Sequence, residues 1–154
     1  MLYGRENHLV RVVVQRVSQG SVTVDGAVVA ACGTGVVVLL GVASGDDADT
    51  AVRMAGKIAR LRIFENAEGR LDRSLVDVRG QVLVVSQFTL LADTRKGNRP
   101  SFTEAAAPGV AEPVVEAFAT ALEAEGLHVG RGVFGARMRV SLVNDGPVTI
   151  VLES

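Results

Sequence analysis

The chain has 154 residues, carries a formal net charge of −1, and is 48% hydrophobic and 4% aromatic. This length suits one domain around one core, and the near-zero charge excludes a global field that would attract nucleic acid. Because Cys32 is the one cysteine, an intrachain disulfide and a cysteine-based zinc site are excluded as well.

The sequence is typical of a cytosolic protein without a membrane partner. No apolar run approaches the length of a membrane span. The start "MLYGRENHLVR" lacks the basic-then-apolar layout of a signal peptide. We expect residues 1–9 to be a disordered or artefactual extension and residues 10–154 to form the single domain.

The first half of this domain predicts four strands and a helix. Residues 9–17 are largely apolar, and "SVTVDGAVVA" predicts a hairpin that turns at Asp25-Gly26. The continuous apolar run "GVVVLLGV", residues 35–42, indicates a strand buried on both faces. An amphipathic helix is then predicted by apolar residues at helical spacing, namely Ala51, Met54, Ile58 and Leu61.

The second half predicts a buried strand, a charged loop, a helix and closing strands. "GQVLVVSQFTL", residues 80–90, is a strand that ends in polar residues, and "LADTRKGNRPSF" after it is a loop. Residues 127–145 and 147–153 close the chain as strands. The helix between them is predicted by a second apolar stripe, namely Val110, Val114, Phe118 and Leu122.

From these elements we expect a single-domain α/β fold. It has three layers, with a curved, barrel-like β-sheet of about seven strands and two helices packed on one side.

The stretch "VNDGPVTIVL" places a turn signal between two predicted strands. Asp145-Gly146 is typical of a tight hairpin turn, and Pro147 cannot donate a hydrogen bond to a strand ladder. The local signals favour such a turn. The alternative is a special backbone shape on which something else depends, since an X-Pro bond can be cis at modest cost.

Residues for familiar side-chain chemistry are scarce. The two histidines are His8, in the N-terminal extension, and His128, at an expected surface position. No triad, HExxH, P-loop lysine or dinucleotide-binding pattern is present, and "DDAD" lacks the spacing of a calcium loop. We therefore predict no metal and no cofactor.

The end of the predicted 80–90 strand is the clearest candidate site. If the strand continues through "SQFT", Ser86 and Phe88 face one side and Gln87 and Thr89 the other. Polar groups at the end of a buried strand are where α/β sheets bind ligands. A strand that frays into a loop explains the same residues equally well.

Three segments together resemble the D-aminoacyl-tRNA deacylase family: "VVSQFTL", "KGNRPSF" and "SLVNDGPVT". The resemblance spans residues 10–153 in order. It implies a homodimer with active sites at the interface and hydrolysis of the ester that joins a D-amino acid to the 3′-terminal adenosine of tRNA. Glycine mischarged on tRNA for alanine is a further implied substrate. The implied role is proofreading, within translation quality control and D-amino acid metabolism.

The resemblance also implies which residues form the site. Four would line it and hold the ester carbonyl and the terminal ribose: Ser86, Gln87, Phe88 and Thr89. Three would form pocket walls: Phe134, Met138 and Ala106.

The resemblance gives the Gly-Pro segment its own role. A cis Gly146-Pro147 bond would be inserted from one subunit into the other's site, where its backbone carbonyls form a chiral filter that rejects L-amino acids. Val148 and Thr149 complete this motif, and Arg16 would fix its orientation.

For the reaction, the resemblance implies help from the tRNA 2′-hydroxyl. Our hypothesis is that Thr89 and backbone N–H groups near Phe88 position the ester. A covalent Thr89 intermediate is the rival mechanism, although a threonine without a base is a poor nucleophile. RNA contact is expected at the terminal adenosine and acceptor stem. Candidate phosphate partners are Arg95, Lys96 and Arg99, and a solvated loop explains them as well.

Two other functions remain open from the sequence. One is a small-ester hydrolase that uses Thr89 or Ser86 without tRNA. The other is a dimeric RNA-binding scaffold in which Gly146-Pro147 is only a dimer clasp. Neither DNA nor a membrane is an expected partner.

Overall fold

The computed structural model describes residues 10–154, so the predicted extension at 1–9 lies outside the described residues. The strands are β1 Arg11–Val24, β2 Ala27–Cys32, β3 Gly35–Gly41, β4 Phe64–Glu65, β5 Leu71–Arg73, β6 Gln81–Ser86, β7 His128–Arg131 and β8 Arg139–Glu153. The helices are α1 Ala48–Arg60, α2 Leu75–Val78 and α3 Pro108–Ala124, with a 3-10 helix at Phe88–Leu91. No helix in this part of the chain is long and apolar enough to cross a membrane.

The long strand β1 organises the large sheet. β8 pairs with it along one side, while β3 and then β2 pair along the other, all antiparallel. β3, β6 and β7 continue the sheet as parallel neighbours. Because β2 also contacts β6 and β7, the sheet curls into a nearly closed barrel. The predicted α/β fold with a curved, barrel-like sheet is confirmed.

Two apolar clusters fill the two faces of the sheet. The larger lies under α1 and α3 and contains Phe118, Ile58 and Val38. The smaller lies on the opposite face and contains Val37 and Cys32. Since neighbouring residues of β3 belong to different clusters, the prediction that this strand is buried on both faces is confirmed. Burial also raises the pKa of the Cys32 thiol, as befits an inert core residue.

The element counts differ from the prediction in two places. α2 is a third helix, only four residues long, held by a capping box between Ser74 and Asp77. A small hairpin adds β4 and β5, while the predicted strand at residues 9–17 and the first strand of the predicted hairpin after it join into β1. Eight strands are therefore described where about seven were predicted. Both α2 and the small hairpin are too short to show a hydrophobic period, which is why the sequence pattern does not reveal them.

The predicted tight turn at Gly146 is wrong, because β8 runs straight through it. The residues on both sides pair antiparallel with the same strand: Asn144 with Val17, and Thr149 with Gln15. Between these two pairs β1 advances by two residues while β8 advances by five. The surplus forms an outward bulge rather than a reversal, since both halves of β8 match one 14-residue partner.

Candidate active site

A cavity of about 590 Å³ lies at the carboxyl ends of the parallel strands β3 and β6. This is the edge where open α/β sheets bind their ligands. The cavity walls are mainly apolar and include six of the residues predicted for the site: Ser86, Gln87, Phe88, Ala106, Phe134 and Met138. The structure therefore brings together residues from three separate segments of the chain.

The cavity lining includes an aromatic pair. Phe88 and Phe102 meet edge to face, with ring centroids 5.0 Å apart. Phe88 is 58% exposed although it is large and apolar. An exposed ring beside an apolar cavity is suited to stacking against a nucleobase. Phe102 was missed at the sequence level, although it lies in the "KGNRPSF" segment.

The strand β6 ends at Ser86, so the predicted alternation of side chains through Thr89 is wrong. The backbone N–H of Gln87 still donates to the Leu40 carbonyl at 2.8 Å. The chain then enters the 3-10 helix, whose first two N–H groups, on Phe88 and Thr89, have no acceptor within the helix. Thr89 is exposed and its hydroxyl oxygen accepts a hydrogen bond from the Gln87 side-chain amide.

The cavity offers hydroxyl, amide and backbone groups rather than charged ones. No ionisable side chain from residues 10–154 lines it. His128, the one histidine in the described range, is exposed at the start of β7 and pairs there with Gln81. Such a cavity can orient a reactive ester and stabilise a developing oxyanion, but it presents no side-chain base to a nucleophile.

The Gly146-Pro147 bond is cis and lies at the exposed crest of the bulge in β8. Arg16 holds the bulge from beneath: its Nε donates to the Asp145 carbonyl at 2.9 Å. The same guanidinium donates through Nη1 to the Ile63 carbonyl at 2.9 Å, and it is only 6% exposed. A buried cation with these partners fixes the direction of the carbonyls it binds.

A second set of bonds lies within the bulge itself. The Asn144 side-chain oxygen accepts a hydrogen bond from the Val148 N–H at 3.1 Å, and its amide nitrogen donates to the Thr149 hydroxyl at 2.9 Å. Sequence reasoning missed Asn144. The available signal was an asparagine just before Asp-Gly, a residue type that bonds to backbone a few positions further on.

The structure does not bring the bulge to the cavity within this chain. Among residues 10–154, the cavity lining includes neither Gly146 nor Pro147, nor Arg16 beneath them. The lining also omits Val148 and Thr149. Val148 instead packs against the larger core cluster. The predicted site residues thus form two distinct groups within the chain.

The two ends of the loop after the 3-10 helix are hydrogen-bonded to each other. Asp93 and Ser101 exchange two backbone hydrogen bonds, of 2.7 and 2.9 Å. The Arg95 guanidinium hydrogen-bonds to both carboxylate oxygens of Asp93 and holds the pKa of that carboxyl well below its usual range. Of the three predicted phosphate partners, Arg95 is therefore engaged within the loop, whereas Lys96 and Arg99 extend from it exposed.

Known proteins resemble this chain along nearly its whole length. A D-aminoacyl-tRNA deacylase of Roseiflexus castenholzii is 60% identical over 94% of this chain and 92% of its own. The D-aminoacyl-tRNA deacylase of Deinococcus radiodurans is 56% identical over 93% and 99%, respectively. A solved structure named c-Myc DNA Unwinding Element Binding Protein has a TM-score of 0.87 at 42% identity and covers 94% of this chain and 98% of its own.

The family model described as D-Tyr-tRNA(Tyr) deacylase matches residues 13–153. The match includes the cavity residues at the end of β6 and the bulge in β8. It agrees with the resemblance drawn from the sequence segments alone. The chain belongs to the D-Tyr-tRNA(Tyr) deacylase family.

Proposed function

We propose that this protein hydrolyses the ester bond of D-aminoacyl-tRNA, releasing the free D-amino acid and tRNA as part of translation quality control in the cytoplasm. Membership of the family supports this activity. The observation that carries the proposal is the cavity at the end of β6, which has polar atoms on Ser86 and Gln87 and is lined by no ionisable side chain of residues 10–154. Such a site suits a substrate that is already reactive.

The chemistry needs positioning more than it needs a strong base. An aminoacyl ester is activated by the neighbouring ribose 2′-hydroxyl, which can assist the attacking water. The N–H groups of Phe88 and Thr89, which have no acceptor within the 3-10 helix, are proposed to stabilise the oxyanion that forms when water adds to the ester carbonyl. Collapse of that intermediate breaks the bond to the ribose oxygen, which leaves as a hydroxyl.

Deacylation of matched D- and L-tyrosyl-tRNA by the wild-type protein, with a chelator present, tests the activity. We expect rapid loss of the D ester and slow loss of the L ester. Hydrolysis of neither would favour a scaffold without turnover. Hydrolysis of free tyrosine ethyl ester at a rate equal to that of D-tyrosyl-tRNA would favour a small-ester hydrolase.

Replacing Thr89 separates positioning from covalent catalysis. Thr89→Ala is expected to retain activity within about tenfold of wild type, because the proposed mechanism does not use Thr89 as a nucleophile. Removing a true nucleophile would cost about 10⁴-fold or more. The readout is single-turnover deacylation of D-tyrosyl-tRNA. Since Thr89 is exposed, loss of folding is not expected. A collapse of activity in Thr89→Ala that Thr89→Ser restores, with an acyl-enzyme seen by mass spectrometry after acid quenching, would contradict the proposal.

The bulge in β8 is proposed to supply the chiral filter. Backbone carbonyls of Gly146 and Pro147 beside the substrate α-carbon would leave no room for an L side chain. A filter of this kind reads handedness and ignores side-chain identity, so it accepts many D-amino acids. Glycine has no side chain to reject, so glycine mischarged on tRNA for alanine is also a proposed substrate.

We further propose that the filter reaches the cavity of a second copy of the chain. In support of this, the bulge is exposed and the cavity lining of its own protomer omits it. β8 has one strand neighbour among the described residues and carries exposed apolar side chains, namely Val140, Val143 and Val151. An unpaired strand edge with exposed apolar side chains is typical of a protein–protein interface, and a second copy of the chain would bury it.

Mixed dimers test whether the filter acts across the interface. Ala106→Trp should fill the cavity and abolish activity. Gly146→Ala should displace the filter, because residue 146 has φ of +129° and a Cβ there would lie 2.8 Å from Arg16 Nη2. In a co-expressed heterodimer of the two variants, one site combines an intact cavity with an intact filter. We therefore expect the purified heterodimer to regain the D-over-L preference of wild type.

The Gly146→Ala homodimer is the matched control and should hydrolyse both esters. If the heterodimer is as unselective as this control, the filter acts within one protomer. A monomer by light scattering would also contradict the dimer.

Binding of tRNA phosphates is proposed for Lys96 and Arg99. The double variant Lys96→Gln, Arg99→Gln should reduce the salt dependence of KM, by about one in the log–log slope for each phosphate that the protein no longer neutralises. Arg53→Gln, Lys57→Gln removes a matched pair of exposed cations from α1 and should leave the slope unchanged. An equal slope in both variants would assign Lys96 and Arg99 to a solvated loop.

A further inference from the structure

Asn144 and Thr149 lie at the two ends of the bulge, each at a ladder position beside it. Asn144 pairs with Val17 and Thr149 with Gln15, so these are the last residues of β8 held by β1 on either side. The bond from Asn144 Nδ2 to Thr149 Oγ1, 2.9 Å long, joins these two ends directly. We call these two side chains the bracket.

The bracket holds the side of the bulge that Arg16 does not reach. Arg16 binds the carbonyl of Asp145, before the Gly-Pro pair. Asn144 Oδ1 accepts from the N–H of Val148, directly after the pair, at 3.1 Å. The Gly-Pro segment is therefore fixed on both sides by side chains that do not line the cavity of their own protomer.

We propose that Asn144 and Thr149 are positioning residues for enantiomer discrimination. This inference rests on the proposed role of the Gly146-Pro147 carbonyls as the chiral filter. Asp145, Gly146 and Pro147 are all exposed, so packing within the protomer does not set their orientation. A steric filter must be held to a fraction of an ångström, because small displacements of positioning groups change rates by orders of magnitude.

The bond pattern predicts a graded series of variants. Asn144→Ala removes both bracket bonds, Thr149→Val removes only the hydroxyl bond while keeping the shape, and Thr149→Ser keeps the hydroxyl. We expect the D-over-L ratio of kcat/KM for tyrosyl-tRNA to fall about tenfold or more in Asn144→Ala, which lies within the range known for loosened positioning groups. The ratio should fall less in Thr149→Val, and in Thr149→Ser it should match that of wild type.

The fall should come mainly from faster hydrolysis of the L ester. A bracket that only stabilised the fold would lower both activities together and leave their ratio unchanged. The ratio therefore reports positioning, and a thermal melt reports stability.

The N-terminus of α1 offers a matched control. The Asp47 carboxylate accepts one bond from a backbone N–H and one from a threonine hydroxyl, both from Thr50 and both 3.0 Å long. Asp47→Ala and Thr50→Val thus remove the same kinds of bond at a cap outside the cavity lining. They should lower the melting temperature about as much as the bracket variants and leave the ratio unchanged.

The outcomes separate this inference from the filter itself. If Gly146→Ala loses discrimination but Asn144→Ala retains the wild-type ratio within about twofold, well below the range for loosened positioning groups, the bracket inference is overturned and the filter stands. If neither variant changes the ratio, both are overturned. Two results together support the bracket inference. The D-over-L ratio falls in Asn144→Ala, and it is higher in Thr149→Ser than in Thr149→Val.

Discussion

The buried guanidinium of Arg16 is the interaction on which the shape of the site depends. A cation that is 6% exposed must have its donors satisfied by acceptors in fixed positions, since an unpaired buried charge is costly. Its acceptors are the carbonyls of Ile63, after α1, and Asp145, in β8. The Glu65 carboxylate adds a longer contact at 3.4 Å. β8 can present its carbonyl to this cation because it bulges away from the ladder there.

The same bulge explains how one sheet serves two purposes. β8 must stay paired with β1, because its inward side chains Val148, Ile150 and Leu152 pack against the larger core cluster. A reversal at Gly146 would remove this half of the strand from the sheet. A bulge keeps both halves of β8 paired with β1 and exposes the Gly-Pro backbone at the same time. Bulges near functional sites are commonly used in this way.

Most of the fold could be predicted from the sequence because burial leaves a local period. The alternating and continuous valine runs of β1 and β3 predict strands directly, and the stripes of α1 and α3 predict helices. β8 was misread because the Asp145-Gly146 turn signal is local, whereas the partner that overrides it, β1, is over 120 residues away in the chain. The end of β6 at Ser86 depends on the backbone of Gln87, with φ of −145° and ψ of 81°, which no periodicity encodes.

The candidate site was predictable only in part. The family resemblance identified residues from three segments that meet at the cavity, but a sequence pattern does not specify side-chain partners. It therefore did not show that Arg95 is engaged by Asp93, or that Asn144 spans the bulge. This difference has a physical basis in the proposed filter. If selectivity comes from backbone carbonyls, no side chain at Gly146 or Pro147 encodes it, and the residues that set it are those that orient the backbone from outside the cavity.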